Sequence, residues 1–366
     1  MEKSGRSARK RKQKKSGGGG LNLFKKAPAP DKSTYSQRTK KSSSNQEKSG
    51  RSARKKKKNG EKKDGGKGGS GGEAGQGWQY DQAAKKMVKA TAFSTDACKT
   101  EFNTDLTFQP PKDDCGAFQK NLAKNRQPEA PITDSNMVFI KQPENAYLCA
   151  AKISNPVDSS QLIILAQAPE SADLEIFWRM IYDGGITNIF IATSPTTLSE
   201  YLPLNVTSFN QVGKMLLNNK KVETLGKDIT CMTIEVLPDG CSNSVVCDVY
   251  SVASWSSGKA APNPSDCVAI CEKMLIKPGE GVMFCSWNGL GRSGVILMIY
   301  LIMAHVMKNA DFKINELFSK IRAQRFGIVE NGDQYLSIYQ AITYWIRNNS
   351  KDAEILKAIE GIPPPA

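Results

Sequence analysis

From Gly294 to Met307 the chain reads Gly-Val-Ile-Leu-Met-Ile-Tyr-Leu-Ile-Met-Ala-His-Val-Met, fourteen residues without a charge. A helix built from this run has no polar face, so other elements must enclose it on all sides. A membrane span needs about 20 apolar residues, and the run falls short of that. The expected setting is therefore a helix buried inside a domain. Just before it, Gly281–Cys285 is an apolar run of strand length, and a glycine-bearing loop joins the two. Strand, loop and buried helix in succession imply an α/β fold, which holds ligands in the loops at the carboxyl ends of its strands.

The surrounding sequence supports a sheet. Val138–Ile140, Leu162–Ala166 and Ile189–Ala192 are apolar runs of strand length. Thr230–Leu237 and Ser244–Val252 alternate side to side around the turn-forming Pro238–Asn243, as a half-exposed strand pair does. Helices are expected over Asp81–Lys89, over Asp266–Leu275 and over Gln334–Arg347, where Leu336, Tyr339, Ile342 and Ile346 share a face.

Charge divides the chain. Residues 1–80 hold 24 Lys/Arg and 6 Asp/Glu, a net of +18, whereas the whole chain carries +15, which leaves −3 for the rest. Residues 1–77 have almost nothing to bury and are expected to be a disordered basic tail. Within it EKSGRSARK occurs twice, at 2–10 and 47–55. Such blocks suit nucleic acid, acidic proteins, import receptors or an anionic membrane surface. The domain is expected over 78–350, with 351–366 as a C-terminal tail.

The nine cysteines are odd in number and show no framework spacing, which fits a reduced intracellular protein, cytoplasmic or nuclear. Cys267 and Cys271 could share a helix face toward a metal. The one histidine, His305, has no cysteine near it, so a buried structural role is expected. No metal or cofactor is expected, and no signal peptide follows the basic start.

The loop carries the chemistry. It runs Phe284-Cys285-Ser286-Trp287-Asn288-Gly289-Leu290-Gly291-Arg292-Ser293-Gly294. Backbone N–H groups of Ser286 to Gly291 leading into a helix N-terminus make an anion cradle. The same field lowers a thiol pKa, and Arg292 can clamp phosphate oxygens. These residues resemble the signature of the protein-tyrosine phosphatases: His-Cys, five residues, Arg-Ser/Thr-Gly. Further segments are similar in order, namely Lys124-Asn125-Arg126 with Asp134-Ser135, Tyr147–Ile153, Gln167-Ala168-Pro169, Phe177–Met180, Trp255–Pro262 and Val329–Tyr335. The resemblance implies a central mixed twisted sheet flanked by helices. It also implies Cys285 as nucleophile, Arg292 as phosphate clamp, Ser293 as the hydroxyl that helps the thiolate leave, Trp255 on the mobile loop and Gln334 on the glutamine loop.

Several family positions are altered. Six residues, not five, lie between Cys285 and Arg292, and Phe284 stands before the thiol where the family has His. Ser257 takes the general-acid position, Gln127 the phosphotyrosine-stacking one and Glu330 that of the first glutamine. General acid help is worth roughly 10²–10⁴, so impaired catalysis is expected. The expected function is a pseudophosphatase that binds a phosphotyrosine protein or other phosphoester. The alternatives are a weak phosphatase working through a cysteinyl-phosphate at Cys285, and a polyanion binder acting through its tail.

Overall fold

The computed structural model describes residues 77–105, 114–141, 143, 146–226, 228–277 and 279–364. The basic segment and its repeat lie outside the described residues.

The first helices are α1 (Asp81–Ala90), α2 (Thr95–Asp105) and α3 (Gly116–Lys120). Then come β1 (Ala150–Asn155), β2 (Asp158–Gln167), α4 (Leu174–Asp183), β3 (Ile186–Ala192) and α5 (Pro195–Tyr201). An antiparallel run follows in β4 (Phe209–Val212), β5 (Met215–Leu225), β6 (Ile229–Pro238) and β7 (Val245–Val252). The chain closes with α6 (Pro264–Leu275), β8 (Gly281–Ser286), α7 (Gly291–Met307), α8 (Ile314–Gln324), α9 (Gly332–Asn349) and α10 (Ala353–Ala358).

Among the described residues eight strands form one mixed sheet in the order β1-β2-β8-β3-β7-β6-β5-β4. β2, β8, β3 and β7 run parallel, and antiparallel strands extend the sheet on both sides. All six residues of β8 are buried, as a central parallel strand requires. One face of the sheet packs against α6, α7, α8 and α9, and the other against α4 and α5. In α7 every residue from Gly291 to Val306 is buried, which explains why its sequence has no polar face. Among the described residues no helix is long and apolar enough to cross a membrane.

The alternating pair is found as β6 and β7, in register from Ile229↔Val252 to Val236↔Val245. Val138–Ile140 is not a strand. It runs past the edge of the sheet, where an isolated bridge, Met137↔Ala151, replaces a ladder and Phe139 is 66% exposed. Residues 351–364 are packed rather than trailing. Ile355, Ile359 and Ile362 are buried, Asp352 caps α10, and Arg347 donates to the carbonyls of Ile359 (3.1 Å) and Ile362 (3.0 Å). Cys267 and Cys271 both lie in the apolar core beside α7, with the Cys271 thiol on the Ile296 carbonyl. His305 is buried, its Nδ1 donating to the Leu301 carbonyl.

Candidate functional site

Side chains alternate along a strand, so β8 sends neighbouring residues to opposite faces. Val282 and Phe284 enter the core on the α7 side, where the Phe284 ring lies 5.5 Å from that of Tyr300. Met283 and Cys285 enter the core on the α4 side, with Ala150, Ala166 and Phe177. Cys285 is paired with Ala166 of β2 and Ile191 of β3 and is fully buried. Burial pushes its thiol up to about 12, against a smaller pull downward from Arg126 and Arg292. A thiol on that face and in that state differs from the low-pKa thiolate expected of Cys285.

The residue that turns toward the start of α7 is Ser286. Its Oγ lies 2.8 Å from the Oγ of Ser293, and both residues are buried. Ser286 is still part of the strand; its carbonyl accepts from Ala168 N (2.8 Å) and Gly289 N (3.1 Å), which turns the chain. Gly289 has φ +70, and a Cβ there would sit 2.6 Å from Gln167 N. Asn288 Oδ1 accepts from Leu290 N at 3.1 Å. The loop proper is thus Trp287–Leu290, and Gly291 and Arg292 begin the helix. From Ser286 to Arg292 there are five intervening residues, not the six counted from Cys285. The apparent extra residue is a shift of one position in the strand.

Arg292 is 7% exposed and donates from Nη1 to the Trp255 carbonyl at 2.8 Å. Burial holds its pKa down, partly offset by the negative charge of Glu330. Trp255 is itself buried, with its indole N–H on the Lys259 carbonyl (2.9 Å). Ser257 is exposed on the same loop. Asp266, the nearest carboxylate after that loop, is buried in the first turn of α6 and accepts from Asn263 Nδ2 (3.2 Å).

Glu330 and Gln334 sit across from the loop. Asn288 Nδ2 donates to one oxygen of the Glu330 carboxylate and Gln334 Nε2 to the other, at 3.2 Å. Gln334 Oε1 accepts from the Glu330 N–H at 2.8 Å. A Cβ built on Gly291 would lie 1.9 Å from Glu330 Oε2, so the carboxylate rests against the bare backbone of the first residue of α7. Val329, just before it, is held at φ +58 with its N–H on the Leu290 carbonyl (3.1 Å). Positive φ is a strained backbone for a β-branched residue. Asn331 Nδ2 reaches the Gly258 carbonyl (2.9 Å), which ties this segment to the Trp255 loop.

At the rim, Gln127 is half-buried and Trp287 is 44% exposed. The Arg126 guanidinium stacks on the Trp287 ring, 3.7 Å from its centroid. Arg126 also donates to the carbonyls of Ala168 and Trp287, both at 2.6 Å, and pairs with Glu170. Gln167 pins this rim to the sheet by accepting from Arg126 N (2.8 Å) and donating to the Lys124 carbonyl (2.8 Å).

The structure therefore gathers Ser286, Asn288, Gly291, Arg292, Ser293, Glu330 and Gln334 at one helix N-terminus, with Trp255 beneath Arg292. Cys285 and Phe284 belong to the two apolar cores. The cysteine draws attention away from Ser286; strand alternation, with Phe284 packed on α7, is the signal that points to the serine.

Comparison with known proteins agrees with this architecture. The protein-tyrosine phosphatase family profile matches residues 121–344. A Caenorhabditis elegans chain bearing the name tyrosine-protein phosphatase is 34% identical over 292 residues, covering 78% of this chain and 73% of its own. Human tyrosine-protein phosphatase non-receptor type 13 is 26% identical over 252 residues, which is 64% of this chain but 10% of that much longer protein. The crystal structure of a Trypanosoma cruzi protein tyrosine phosphatase superposes with a TM-score of 0.60 at 19% identity, covering 69% of this chain and 93% of its own.

Proposed function

The chain belongs to the protein-tyrosine phosphatase family, and from that premise we propose that its domain is a non-hydrolysing member, a pseudophosphatase that serves as a partner-binding module. The observation that carries this reading is the contact of Ser286 with Ser293, 2.8 Å apart at the start of α7. Counted back from Arg292 with the family spacing, the nucleophile position holds Ser286. A serine hydroxyl is a weak nucleophile unless a neighbouring base takes its proton. Its hydrogen-bond partner here is another hydroxyl.

The leaving-group side is equally deprived. Ser257 offers no carboxylic acid, and Asp266 is committed to the first turn of α6. A route through Cys285 would need its thiol to leave the apolar face it shares with Ala166 and Phe177. The partner implied by the fold is a protein recognised through phosphotyrosine or a similar acidic group, with Arg292 as the retained cation of the cradle.

The test is hydrolysis of p-nitrophenyl phosphate by the purified full chain. Turnover indistinguishable from buffer is expected, unchanged by Cys285→Ala. Hydrolysis that either Ser286→Ala or Cys285→Ala abolishes would overturn the reading.

A further inference from the structure

The Glu330 carboxylate lies against the start of α7 and is hydrogen-bonded by Asn288 of the loop before it. We propose that the Glu330 carboxylate is the resident ligand of the Ser286–Arg292 loop, so that the site is closed to phosphate by the chain's own side chain and opens to it when Glu330 is displaced or neutralised.

Three independent features point the same way. The carboxylate is held at both ends, since Asn288 Nδ2 donates to one oxygen and Gln334 Nε2 to the other (3.2 Å). Its position is the one where a helix favours negative charge: Oε2 would be 1.9 Å from a Cβ on Gly291, at the N-terminus of a 17-residue helix. Its charge acts on Arg292, which is buried and directed inward to the Trp255 carbonyl at 2.8 Å. A carboxylate that merely repelled incoming phosphate could turn to solvent. This one is hydrogen-bonded by a loop residue, Asn288, and by Gln334, which is fully buried.

The backbone is arranged to keep it there. Val329 is fully buried at φ +58, a conformation that costs a β-branched residue free energy. It is fixed by the bond from its N–H to the Leu290 carbonyl (3.1 Å), and the next N–H, that of Glu330, is bonded to Gln334 Oε1 (2.8 Å). The segment carrying the carboxylate is thus anchored to the loop it fills. Phosphate seated in the loop would face the Glu330 carboxylate at close range, and like charges that close repel. Arriving phosphate has to displace Glu330, and any motion that withdraws 329–331 exposes the cradle. Asn331 Nδ2 bonds the Gly258 carbonyl, so that withdrawal also releases the Trp255 loop.

Self-occupation rests on the loop being an anion cradle and not on whether the domain hydrolyses esters. Turnover by the wild-type chain would defeat the pseudophosphatase reading and leave this one to a binding measurement. The probe is inorganic phosphate, titrated calorimetrically into the full chain and into Glu330→Gln and Glu330→Ala. Unfolding temperatures without phosphate identify any variant that fails to fold, and Glu330→Gln conserves shape where Glu330→Ala does not. The expected result is binding at least about tenfold tighter in the variants than in the wild type. In the Glu330→Gln background, Arg292→Gln is expected to remove that gain. Equal affinity in wild type and variants, no binding in any of them, or a gain that survives Arg292→Gln would each overturn the proposal.

Discussion

The hydroxyl of Ser286 lies 2.8 Å from that of Ser293, across the turn that joins β8 to α7. Its neighbour Cys285 faces the opposite side of the sheet. Every expectation about reactivity in this loop depends on that one-residue difference.

The first consequence concerns thiol chemistry. With burial pushing it to about 12, Cys285 at pH 8 is thiolate to about one part in 10⁴, against roughly a quarter for an ordinary thiol. Cys241 is exposed. Iodoacetamide treatment of the native protein, read by peptide mass spectrometry, is expected to modify Cys241 within the time that leaves Cys285 unmodified. Denaturation should make the two equal. Rapid native labelling of Cys285 would mean that its face of the sheet is accessible after all.

A second consequence is a route to restoring activity. Deleting a loop residue and replacing Phe284 by His would remove part of a sound turn and damage the packing of Phe284 on Tyr300. The productive change is Ser286→Cys, combined with Ser257→Asp for the acid and Glu330→Gln for the occupied cradle. The triple variant is expected to hydrolyse p-nitrophenyl phosphate at least about 10² faster than Ser286→Cys alone, since general acid help alone is worth roughly 10²–10⁴. No gain over Ser286→Cys would place the defect elsewhere, with Gln127 at the rim the next position to change.

Much of the fold is legible in the amino-acid sequence. The apolar run 294–307 dictates a buried helix, and the alternation in 230–237 and 244–252 dictates the β6–β7 pair, because both patterns follow from burial that the chain must satisfy. The site is harder to read. Cys285 is conspicuous and Ser286 is not, yet which of them faces α7 depends on strand register, set by the pairing Ala166↔Cys285↔Ile191. The place of Glu330 is legible, but its seat on Gly291 depends on Asn288 and on the turned backbone at Val329, neither of which has a sequence signal. Val138–Ile140 is not a strand because pairing of this segment with β1 stops at the single bridge Met137↔Ala151. The packing of residues after 350 is hidden because Ile355, Ile359 and Ile362 are only three isoleucines in a polar context, though all three are buried.

The turn itself can be tested through Gly289. Alanine there must adopt φ +70 and place a Cβ 2.6 Å from Gln167 N and 2.7 Å from the Ala166 carbonyl carbon, backbone atoms of β2 that have little room to yield. Gly240 has a similar φ, +75, with nothing within 4 Å of the added atom. Left-handed backbone costs a non-glycine residue about 1–2 kcal/mol. Gly240→Ala is expected to cost about that much in urea unfolding, and Gly289→Ala more, by at least about 1 kcal/mol. Equal losses would show that the loop relaxes away from β2 without resistance.

The last prediction uses the chain's one histidine. His305 is 3% exposed, its Nδ1 donates to the Leu301 carbonyl at 2.7 Å, and its ring lies 4.8 Å from that of Phe312. Burial lowers its pKa below the usual 6.5, against a smaller upward pull from the Leu301 carbonyl, and the positive charge of Lys320 adds a lesser downward push. The unfolded chain therefore takes up the proton first as pH falls. Stability is complete above about 6.5 and declines below it, until the folded-state pKa is passed. Between pH 7.5 and 5.5 ordinary carboxylates remain ionised, so with one histidine in the chain most of the change in that window is assigned to this side chain. Its slope cannot exceed about 1.4 kcal/mol per pH unit for a single proton. Urea midpoints of the wild type are expected to fall across the window, and those of His305→Gln to stay nearly level, since an amide can still donate to Leu301 without titrating. A parallel decline in both proteins would assign the acid sensitivity to other groups.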